Sequence, residues 1–458
     1  MKFVSTRGQT EPHSFSDAVR IGLAPDGGLF VPESLPDLSG EISSWDGLSY
    51  PDLCYEFYKH FATDIPGAAL KDIIHRSYAN CDHEQHAPLV RLEEGLHLLE
   101  LFHGPTLAFK DFALQLVGNL YERQVAIRDE PITVLGATSG DTGAAAISGL
   151  LGKKGVNIFI MYPDGGRVSP LQERQMTCTQ DDNVFPLAVS GNFDDAQAVL
   201  KEVLGDSEFS SSLKMSAVNS INIARGLAQC VYYLFAWLKF PAGEREEITF
   251  AVPTGNFGNV LSGWMVSRMG MRVAGFRVAT NQNDILHRFF SSGDYSLGEV
   301  HPSYAPSMDI QVASNFERFI YYAFNGNPEK TRKTMLQFKS EKAFQVDDSS
   351  ILSIMSSTRM ADGEIKSVMS EVYEKYNYVV DPHTACGFKE LDELKNVVLL
   401  STAHPAKFPD VVQQTIGVDA IHPRLEALKN IEETKYSISP DAGEIKSFIA
   451  SQTESMQV

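Results

Sequence analysis

A short segment decides the fold of this 458-residue chain: Leu135-Gly136-Ala137-Thr138-Ser139-Gly140-Asp141-Thr142-Gly143. It follows the apolar run Ile132-Thr133-Val134, which predicts a buried strand, and it leads into the small-residue run Ala144-Ala145-Ala146, which predicts a helix. A loop of glycines and small hydroxyl side chains between a strand and a helix is typical of an anion site, because the dipole and free N–H groups of the helix N-terminus favour negative charge. The alternative is ordinary N-capping of the helix by Ser139 or Asp141.

The same alternation of short apolar runs and helical stretches continues along the chain. Further buried strands are predicted at 156–162, 248–252, 275–280 and 397–401. Strands separated by helices predict βαβ units and a parallel sheet that is covered on both faces. Ligands of such sheets bind beyond the carboxyl ends of the strands, so the glycine-rich turns are where we expect the chemistry.

Both ends of the chain differ from this pattern. The first ninety or so residues are rich in turns and predict helices at 53–61 and 70–78, which favours a small, mostly helical N-terminal domain. The segment after Glu432 is polar, and we expect it to be partly mobile.

Composition and charge exclude several classes of protein. Hydrophobic residues make up 43% and charged residues 21% of the chain, which is typical of a globular protein. A net charge of −19 disfavours a nucleic-acid or anionic-membrane partner, and no apolar run is long enough to span a bilayer. The five cysteines show no metal-ligand spacing and predict free thiols in a reducing compartment. Nucleotide-binding, hydrolase and zinc-protease motifs are also missing, so a cytosolic α/β enzyme without a metal is expected.

Two more segments carry candidate chemistry. In Phe102-His103-Gly104-Pro105-Thr106-Leu107-Ala108-Phe109-Lys110-Asp111-Phe112, Lys110 stands between phenylalanines. A lysine in an apolar pocket has a lowered pKa and can form a Schiff base, whereas the alternative is a surface lysine paired with Asp111. In Val252-Pro253-Thr254-Gly255-Asn256-Phe257-Gly258-Asn259, two glycines allow backbone N–H groups to converge on an anion, although a tight turn is the alternative. Two anion loops and one such lysine indicate a phosphorylated cofactor that binds an amine.

Together these three segments resemble the threonine synthase family of pyridoxal-phosphate enzymes, which has fold type II (tryptophan synthase β-like). The resemblance extends in order from about residue 1 to 425. It includes Ser5-Thr6-Arg7-Gly8, the segment 22–32 and Asp381-Pro382-His383-Thr384-Ala385, which are similar to the long microbial and fungal branch. It implies two three-layer α/β/α lobes with the active site between them, beside the N-terminal domain. The implied ranges are 1–90 for the N-terminal domain, 91–135 with 245–458 for the large cofactor-binding lobe, and 136–244 for a small mobile lobe.

The resemblance also implies a role for each site residue. Lys110 would carry pyridoxal 5'-phosphate as a Schiff base and then move protons as a free amine. The other cofactor-binding residues would be Gly255, Asn256, Phe257, Gly258 and Asn259 at the phosphate, Thr402 at the pyridine nitrogen and Asp141 near the ring hydroxyl. The substrate-binding residues would be Thr138 and Ser139 at the carboxylate, and Asn219, Ser220 and Arg225 at the phosphate. His383 and Thr384 would lie near the site, or else be a core histidine and a helix cap.

The activity implied is the last step of threonine biosynthesis: O-phospho-L-homoserine and water give L-threonine and phosphate by γ-elimination and β-addition of water. Two alternatives stay open, a phospho-lyase relative that releases 2-oxobutyrate and ammonia, and an inactive homologue that serves as a binding module. The family also implies a monomer, and the free thiols predict a cytoplasmic location. Because both ligands are phosphates, we expect a locally positive cleft inside an acidic surface.

Overall fold

The computed structural model describes residues 1–138, 140–165, 168–179 and 181–455. The strands are β1 Phe3–Ser5, β2 Phe30–Pro32, β3 Leu89–Glu93, β4 Leu96–Glu100, β5 Ile132–Ala137, β6 Val156–Pro163, β7 Val184–Val189, β8 Met215–Ala217, β9 Ile248–Pro253, β10 Gly275–Thr280, β11 Asp294–Ser296, β12 Ala343–Gln345, β13 Ser356–Arg359, β14 Asn396–Ser401 and β15 Tyr436–Ile438. The helices are α1 Phe15–Ile21, α2 Tyr50–Tyr58, α3 Gly67–Tyr78, α4 Asp111–Arg128, α5 Asp141–Leu150, α6 Pro170–Thr177, α7 Phe193–Gly205, α8 Ser207–Ser212, α9 Ile223–Leu238, α10 Gly258–Ser267, α11 Ile285–Ser292, α12 Phe316–Ala323, α13 Pro328–Glu341, α14 Ser349–Leu352, α15 Asp362–Tyr376, α16 Pro382–Cys386, α17 Pro409–Ile416, α18 Pro423–Leu428 and α19 Ala442–Ser455. Among the described residues, no helix combines the length and apolar character that crossing a membrane requires.

The larger sheet has six strands in the order β13-β10-β9-β14-β4-β3, and its strands pair in parallel except for β3 with β4. Successive side chains of a strand point to opposite faces, so each strand contributes to two hydrophobic layers. In β14, Val398 and Leu400 join the cluster that contains α9, whereas Val397 and Leu399 join the one that contains α15 and α17. Helices therefore cover both faces of this sheet, as predicted.

The smaller sheet has five strands in the order β15-β7-β6-β5-β8, all paired in parallel. In β6, Ile158 and Ile160 pack on the side of α4 and α5, whereas Phe159 and Met161 pack on the side of α7 and α19. This second three-layer unit confirms the predicted fold class. The strands predicted from the sequence are all present with nearly the predicted ends.

Two observations concern the ranges that the resemblance implies for the lobes. The predicted boundary after residue 135 falls inside β5, which belongs wholly to the five-stranded sheet. The tail was predicted to be partly mobile and to belong to the large lobe, but β15 pairs with β7 and α19 packs on the same sheet. The reason is that Ile438, Ile445 and Ile449 are buried while many of their neighbours in the chain are polar, which lowers the average hydropathy of the segment.

The N-terminal region consists of α1, α2, α3 and the antiparallel pair β1–β2. Its buried aromatic side chains share one hydrophobic cluster with α4, α9 and α10, so it has no separate core. Tyr58 donates a hydrogen bond to the carbonyl of Ala224 (2.8 Å) at the start of α9. Arg318, which is fully buried, donates to the Phe30 carbonyl (3.0 Å), to Asn315 (2.7 Å) and to the Ile221 carbonyl. These bonds tie the N-terminal region to the turn before α9.

Candidate active site

A cleft opens where the carboxyl ends of β9 and β14 meet the start of α5. Thr254 follows β9, Thr402 follows β14 and Asp141 begins α5, and all three residues line the cleft together with Lys110. The predicted position of the chemistry, beyond the carboxyl ends of parallel strands, is therefore where the candidate residues converge.

Lys110 lies just before α4, with its Nζ 3.4 Å from Asp141 Oδ2 and 5.1 Å from the centre of the Phe109 ring. Burial lowers the pKa of Lys110, and the opposing effect of the Asp141 charge is smaller. Asp111 accepts hydrogen bonds from the N–H (2.8 Å) and hydroxyl (2.6 Å) of Thr106 instead of pairing with Lys110. The alternative of a surface lysine paired with Asp111 is therefore wrong.

Asp141 is almost fully buried, and its carboxylate lies between two lysines. Oδ2 faces Lys110, while Oδ1 lies 3.2 Å from Lys407 Nζ and accepts a hydrogen bond from Gln172 Nε2 (2.9 Å). Although burial favours the neutral acid, the charges of Lys407 and Lys110 hold the pKa of Asp141 well below its usual range. Gly140, not Asp141, is the N-cap residue of α5. The capping role that the sequence left open for Asp141 is thus not observed.

The loop before α10 offers backbone donors to an anion. Within the described residues, no acceptor receives the N–H groups of residues 255–259. Phe257 has a left-handed φ of 61°, which bends the loop into α10, and a Cβ on Gly255 would lie 2.8 Å from the Ser307 carbonyl oxygen. Tyr232 and Tyr233 donate to Oδ1 of Asn259 (2.6 and 2.8 Å), while its buried Nδ2 has no partner among the described residues. These donors fit the phosphate group of pyridoxal phosphate.

Two neighbouring residues complete the cofactor side of the cleft. Thr402 is 5% exposed, and its hydroxyl makes no hydrogen bond with the described part of the chain, so it is available to a ring nitrogen. Its backbone N–H donates to the Thr384 hydroxyl (3.2 Å), and Thr384 in turn donates to Asp381. Thr384 is therefore a buried support behind the site. The helix cap that the sequence left open for Thr384 is Asp381.

His383 lines the cleft itself. Its Nε2 accepts a hydrogen bond from the backbone N–H of Ser307 (3.1 Å), and its Nδ1 lies 2.9 Å from Asp381 Oδ1. These partners require the tautomer with the proton on Nδ1. The Ser307 hydroxyl lies 3.3 Å from Asp141 Oδ2, so His383 and Ser307 belong to the same polar network as Lys110.

Arg225 brings a second cation into the cleft, as the sequence predicted. Helix α9 begins at Ile223, so Ser220 lies in the turn before it, and both Ser220 and Arg225 line the cleft. Arg225 is 4% exposed, donates to the Asn219 carbonyl (2.6 Å), and has no partner at Nε. No carboxylate of the described residues pairs with it, and burial lowers its pKa to about 10. A surface ion pair is therefore excluded, and an anionic ligand fits.

The remaining predicted residues bond to the protein itself. Thr138 Oγ1 accepts the N–H groups of Gly140 and Gly143 (both 3.0 Å) and so closes the loop before α5. The side chain of Asn219 accepts the N–H of Ile221 (3.2 Å). Ser139 lies outside the described residues. Carboxylate binding by this loop stays a prediction that depends on its backbone and on Thr142, a cleft residue that the sequence reasoning did not single out.

Lys407 was also missed. Its signal was present in the sequence, since Ala403-His404-Pro405-Ala406-Lys407-Phe408 places a lysine among small and aromatic residues just after a strand, as around Lys110. Its partner Asp141 is distant in the chain, so no local pattern connected the two residues.

Comparison with known proteins agrees with this geometry. A model for the threonine synthase N terminus matches residues 2–78, one for pyridoxal-phosphate-dependent enzymes matches 81–401, and one for the threonine synthase C-terminal region matches 384–449. The chain is 42% identical to threonine synthase from Pseudomonas aeruginosa over 98% of both chains.

Two solved structures have the same fold over nearly the full length. The pyridoxal-phosphate-bound threonine synthase from Brucella melitensis gives a TM-score of 0.95 at 40% identity, and yeast threonine synthase gives 0.93 at 38%, each covering 99% of both chains. These matches confirm the predicted family, fold type, cofactor and activity. The chain belongs to the threonine synthase family of pyridoxal-phosphate-dependent enzymes.

Proposed function

We propose that the cleft beside Lys110 converts O-phospho-L-homoserine and water to L-threonine and phosphate. One observation supports the choice of substrate: Arg225 is a buried cation that pairs with no carboxylate in the described part of the chain, and it lines the same cleft as the loop 255–259. The loop is assigned to the phosphate of the cofactor, so Arg225 requires a second anion. A substrate with its own phosphate supplies it, because a guanidinium binds phosphate through paired hydrogen bonds.

Lys110 is the proton carrier in this proposal. Pyridoxal phosphate, when bound, takes up the negative charge that remains at the substrate Cα after a proton leaves. Burial lowers the pKa of Lys110, so its amine gives up a proton more readily than an exposed lysine and can then accept the proton that leaves Cα. Asp141, 3.4 Å away, holds the lysine nitrogen toward the cleft.

The other residues bind and orient. The N–H groups of residues 255–259 would hold the cofactor phosphate. The Thr402 hydroxyl would bind the pyridine nitrogen, and as a neutral group it does not require that nitrogen to be protonated. Ser220 and Arg225 bind the substrate phosphate, and Arg225 stabilises the charge that this group gains as it leaves from Cγ. The loop 138–143 receives the substrate carboxylate at the N-terminus of α5.

The product of the reaction tests the proposal against both alternatives. Purified protein is given O-phospho-L-homoserine, and threonine, 2-oxobutyrate and phosphate are measured. We expect threonine and phosphate in equal amounts. Accumulation of 2-oxobutyrate would instead identify a phospho-lyase, and a colourless protein that takes up no pyridoxal phosphate would identify an inactive homologue.

Replacement of Lys110 tests the assignment of the proton carrier. We expect Lys110→Ala to abolish turnover and the visible absorbance of the bound cofactor, because no other lysine lines the cleft among the described residues. The matched control is Lys333→Ala, because the side chain of Lys333 on α13 is 71% exposed. This variant should keep both the turnover and the visible absorbance. Full activity of the Lys110→Ala protein would contradict the assignment.

We further propose a monomer, as the family resemblance implies, with a cytoplasmic location. All five cysteines are free thiols, which supports a reducing compartment. Size-exclusion chromatography with light scattering would measure the mass, expected near 50.6 kDa.

A further inference from the structure

Lys407 is a second buried lysine at the site, and the reaction proposed above does not use it. It ends the short 3₁₀ turn Pro405–Lys407 after β14, and its side chain has no exposed surface. Its Nζ donates to the Thr106 carbonyl (2.8 Å) and to Gln175 Oε1 (2.6 Å), and lies 3.2 Å from Asp141 Oδ1. Three oxygen atoms thus match the three N–H donors of an ammonium group, which fixes the position of Lys407.

The two lysines that share Asp141 are held differently. Lys110 lies slightly farther from the carboxylate, at 3.4 Å from Oδ2, and within the described residues it makes no other hydrogen bond. Gln172 and Ser307 supply further donors to the two carboxylate oxygens. Asp141 is therefore paired and hydrogen-bonded even when Lys110 leaves it to contact a ligand.

The charges around Lys110 decide how strongly its nitrogen holds a proton. Asp141 on α5 favours the protonated form, whereas Lys407 on the 3₁₀ turn and Arg225 on α9 disfavour it. His383 on α16 is connected to the same carboxylate through Ser307, whose N–H donates to His383 Nε2 and whose hydroxyl donates to Asp141 Oδ2. Asp111 on α4 lies near Lys407, where both contact Thr106. Without Lys407, Lys110 would be the one lysine left beside Asp141 among the described residues.

We propose that Lys407 is a positioning residue that neutralises Asp141 through Oδ1, so that the Lys110 nitrogen can release its proton and act as the base. This inference rests on the proposed role of Lys110 as the proton carrier. It concerns a residue that contacts neither cofactor nor substrate in the proposed arrangement, since Lys407 does not line the cleft.

The test is the pH dependence of the holoenzyme with Lys407→Met, which keeps the length of the side chain and removes its charge. The visible absorbance of the bound cofactor is titrated with pH, and kcat/KM is measured over the same range. We expect the midpoint of the absorbance change and the acidic limb of kcat/KM to move up by about one pH unit, because Lys407 is one of the charges that disfavour the protonated form of Lys110, and a nearby charge shifts a pKa by about 1–3 units. Lys407→Arg keeps the charge and should move both midpoints less. Two unchanged midpoints in Lys407→Met would overturn the inference.

Two further comparisons separate this role from a purely structural one. Lys153 is a partly buried lysine that donates to Asn119 (2.6 Å), away from the cleft, so Lys153→Met should leave both midpoints unchanged. If Lys407→Met does not fold, Lys407→Gln takes its place, because it keeps N–H donors for the Thr106 carbonyl and Gln175 but removes the charge beside Asp141. We expect the same upward shift, and two unchanged midpoints in Lys407→Gln would overturn the inference. A wild-type protein that forms no threonine would refute the proposed function instead.

Discussion

Arg225 shows how a single buried charge can identify a ligand. Burial lowers its pKa to about 10, which means that the folded protein disfavours the charged form that the residue retains at neutral pH. Most buried cations are paired with carboxylates, and Arg225 has none among the described residues. The protein therefore keeps a destabilising charge at this position, and a bound phosphate compensates for it.

We expect Arg225→Met to lower kcat/KM for O-phospho-L-homoserine by about 100-fold, since charge-assisted hydrogen bonds contribute about 1.5–3 kcal/mol each. KM should rise because phosphate binding is lost, and kcat should fall because the leaving phosphate loses its stabilising charge. Arg225→Lys should recover only part of the loss, because an ammonium lacks the paired donors of a guanidinium. Steady-state kinetics of the purified variants measures both effects.

The matched control for Arg225 is Arg245, which is equally buried but serves the fold. It donates to the carbonyls of Phe240 (2.9 Å) and Leu238 (3.0 Å) and lies 3.2 Å from Asp46. Arg245→Met should therefore lower the melting temperature and leave KM unchanged. An Arg225→Met protein with a wild-type KM would refute the assignment of the substrate phosphate.

At the scale of single residues, the sequence identified those whose chemistry is indicated by their neighbours in the chain. Lys110 and the loop 255–259 lie in short segments whose composition alone indicates their chemistry. Lys407 and Ser307 were missed because their importance comes from contacts with Asp141, which is more than 160 residues away in the chain. The hydroxyl of Thr138 was assigned to a ligand but closes its own loop, a choice that composition does not decide.

The C-terminal strand β15 and helix α19 show that local sequence patterns can also miss a whole secondary-structure element. Strands β5, β6 and β9 are covered on both faces, so their sequences are continuous apolar runs that are easily predicted. In contrast, β15 is an edge strand of three residues, and α19 buries only a narrow apolar stripe against the smaller sheet. An element of this kind is recognised only when the surface that it covers is known.

We expect Ile449→Ala, at a fully buried position of α19, to reduce the free energy of unfolding by about 2–5 kcal/mol, through lost burial and the cavity that remains. The control is Ile421→Ala, because Ile421 is 70% exposed and should change stability by less than about 0.5 kcal/mol. Urea unfolding of the full-length chain measures both. Equal stabilities of the two variants would mean that α19 does not hold the smaller lobe together.

At the scale of the whole molecule, the net charge of −19 and the charge of the cleft have opposite signs. Among the described residues, the lysine, arginine and acidic side chains that line the cleft are Lys110, Arg225 and Asp141, which carry a formal charge of +1 together. The two anion-binding loops add the positive ends of α5 and α10. A phosphate ester is therefore repelled by the distant surface and attracted by the groups that it contacts.

These two effects respond differently to salt. The Debye length falls from about 30 Å at 10 mM to about 8 Å at 150 mM ionic strength, so added salt screens the distant acidic surface while the direct contacts of Arg225 are hardly screened. We therefore expect kcat/KM to rise by about twofold over this range. Potassium glutamate and sodium chloride should give the same rise, which excludes competition by chloride for the phosphate site. A fall of kcat/KM with both salts would show that the positive field of the cleft extends beyond the acidic surface, and the predicted separation of site and surface charge would be wrong.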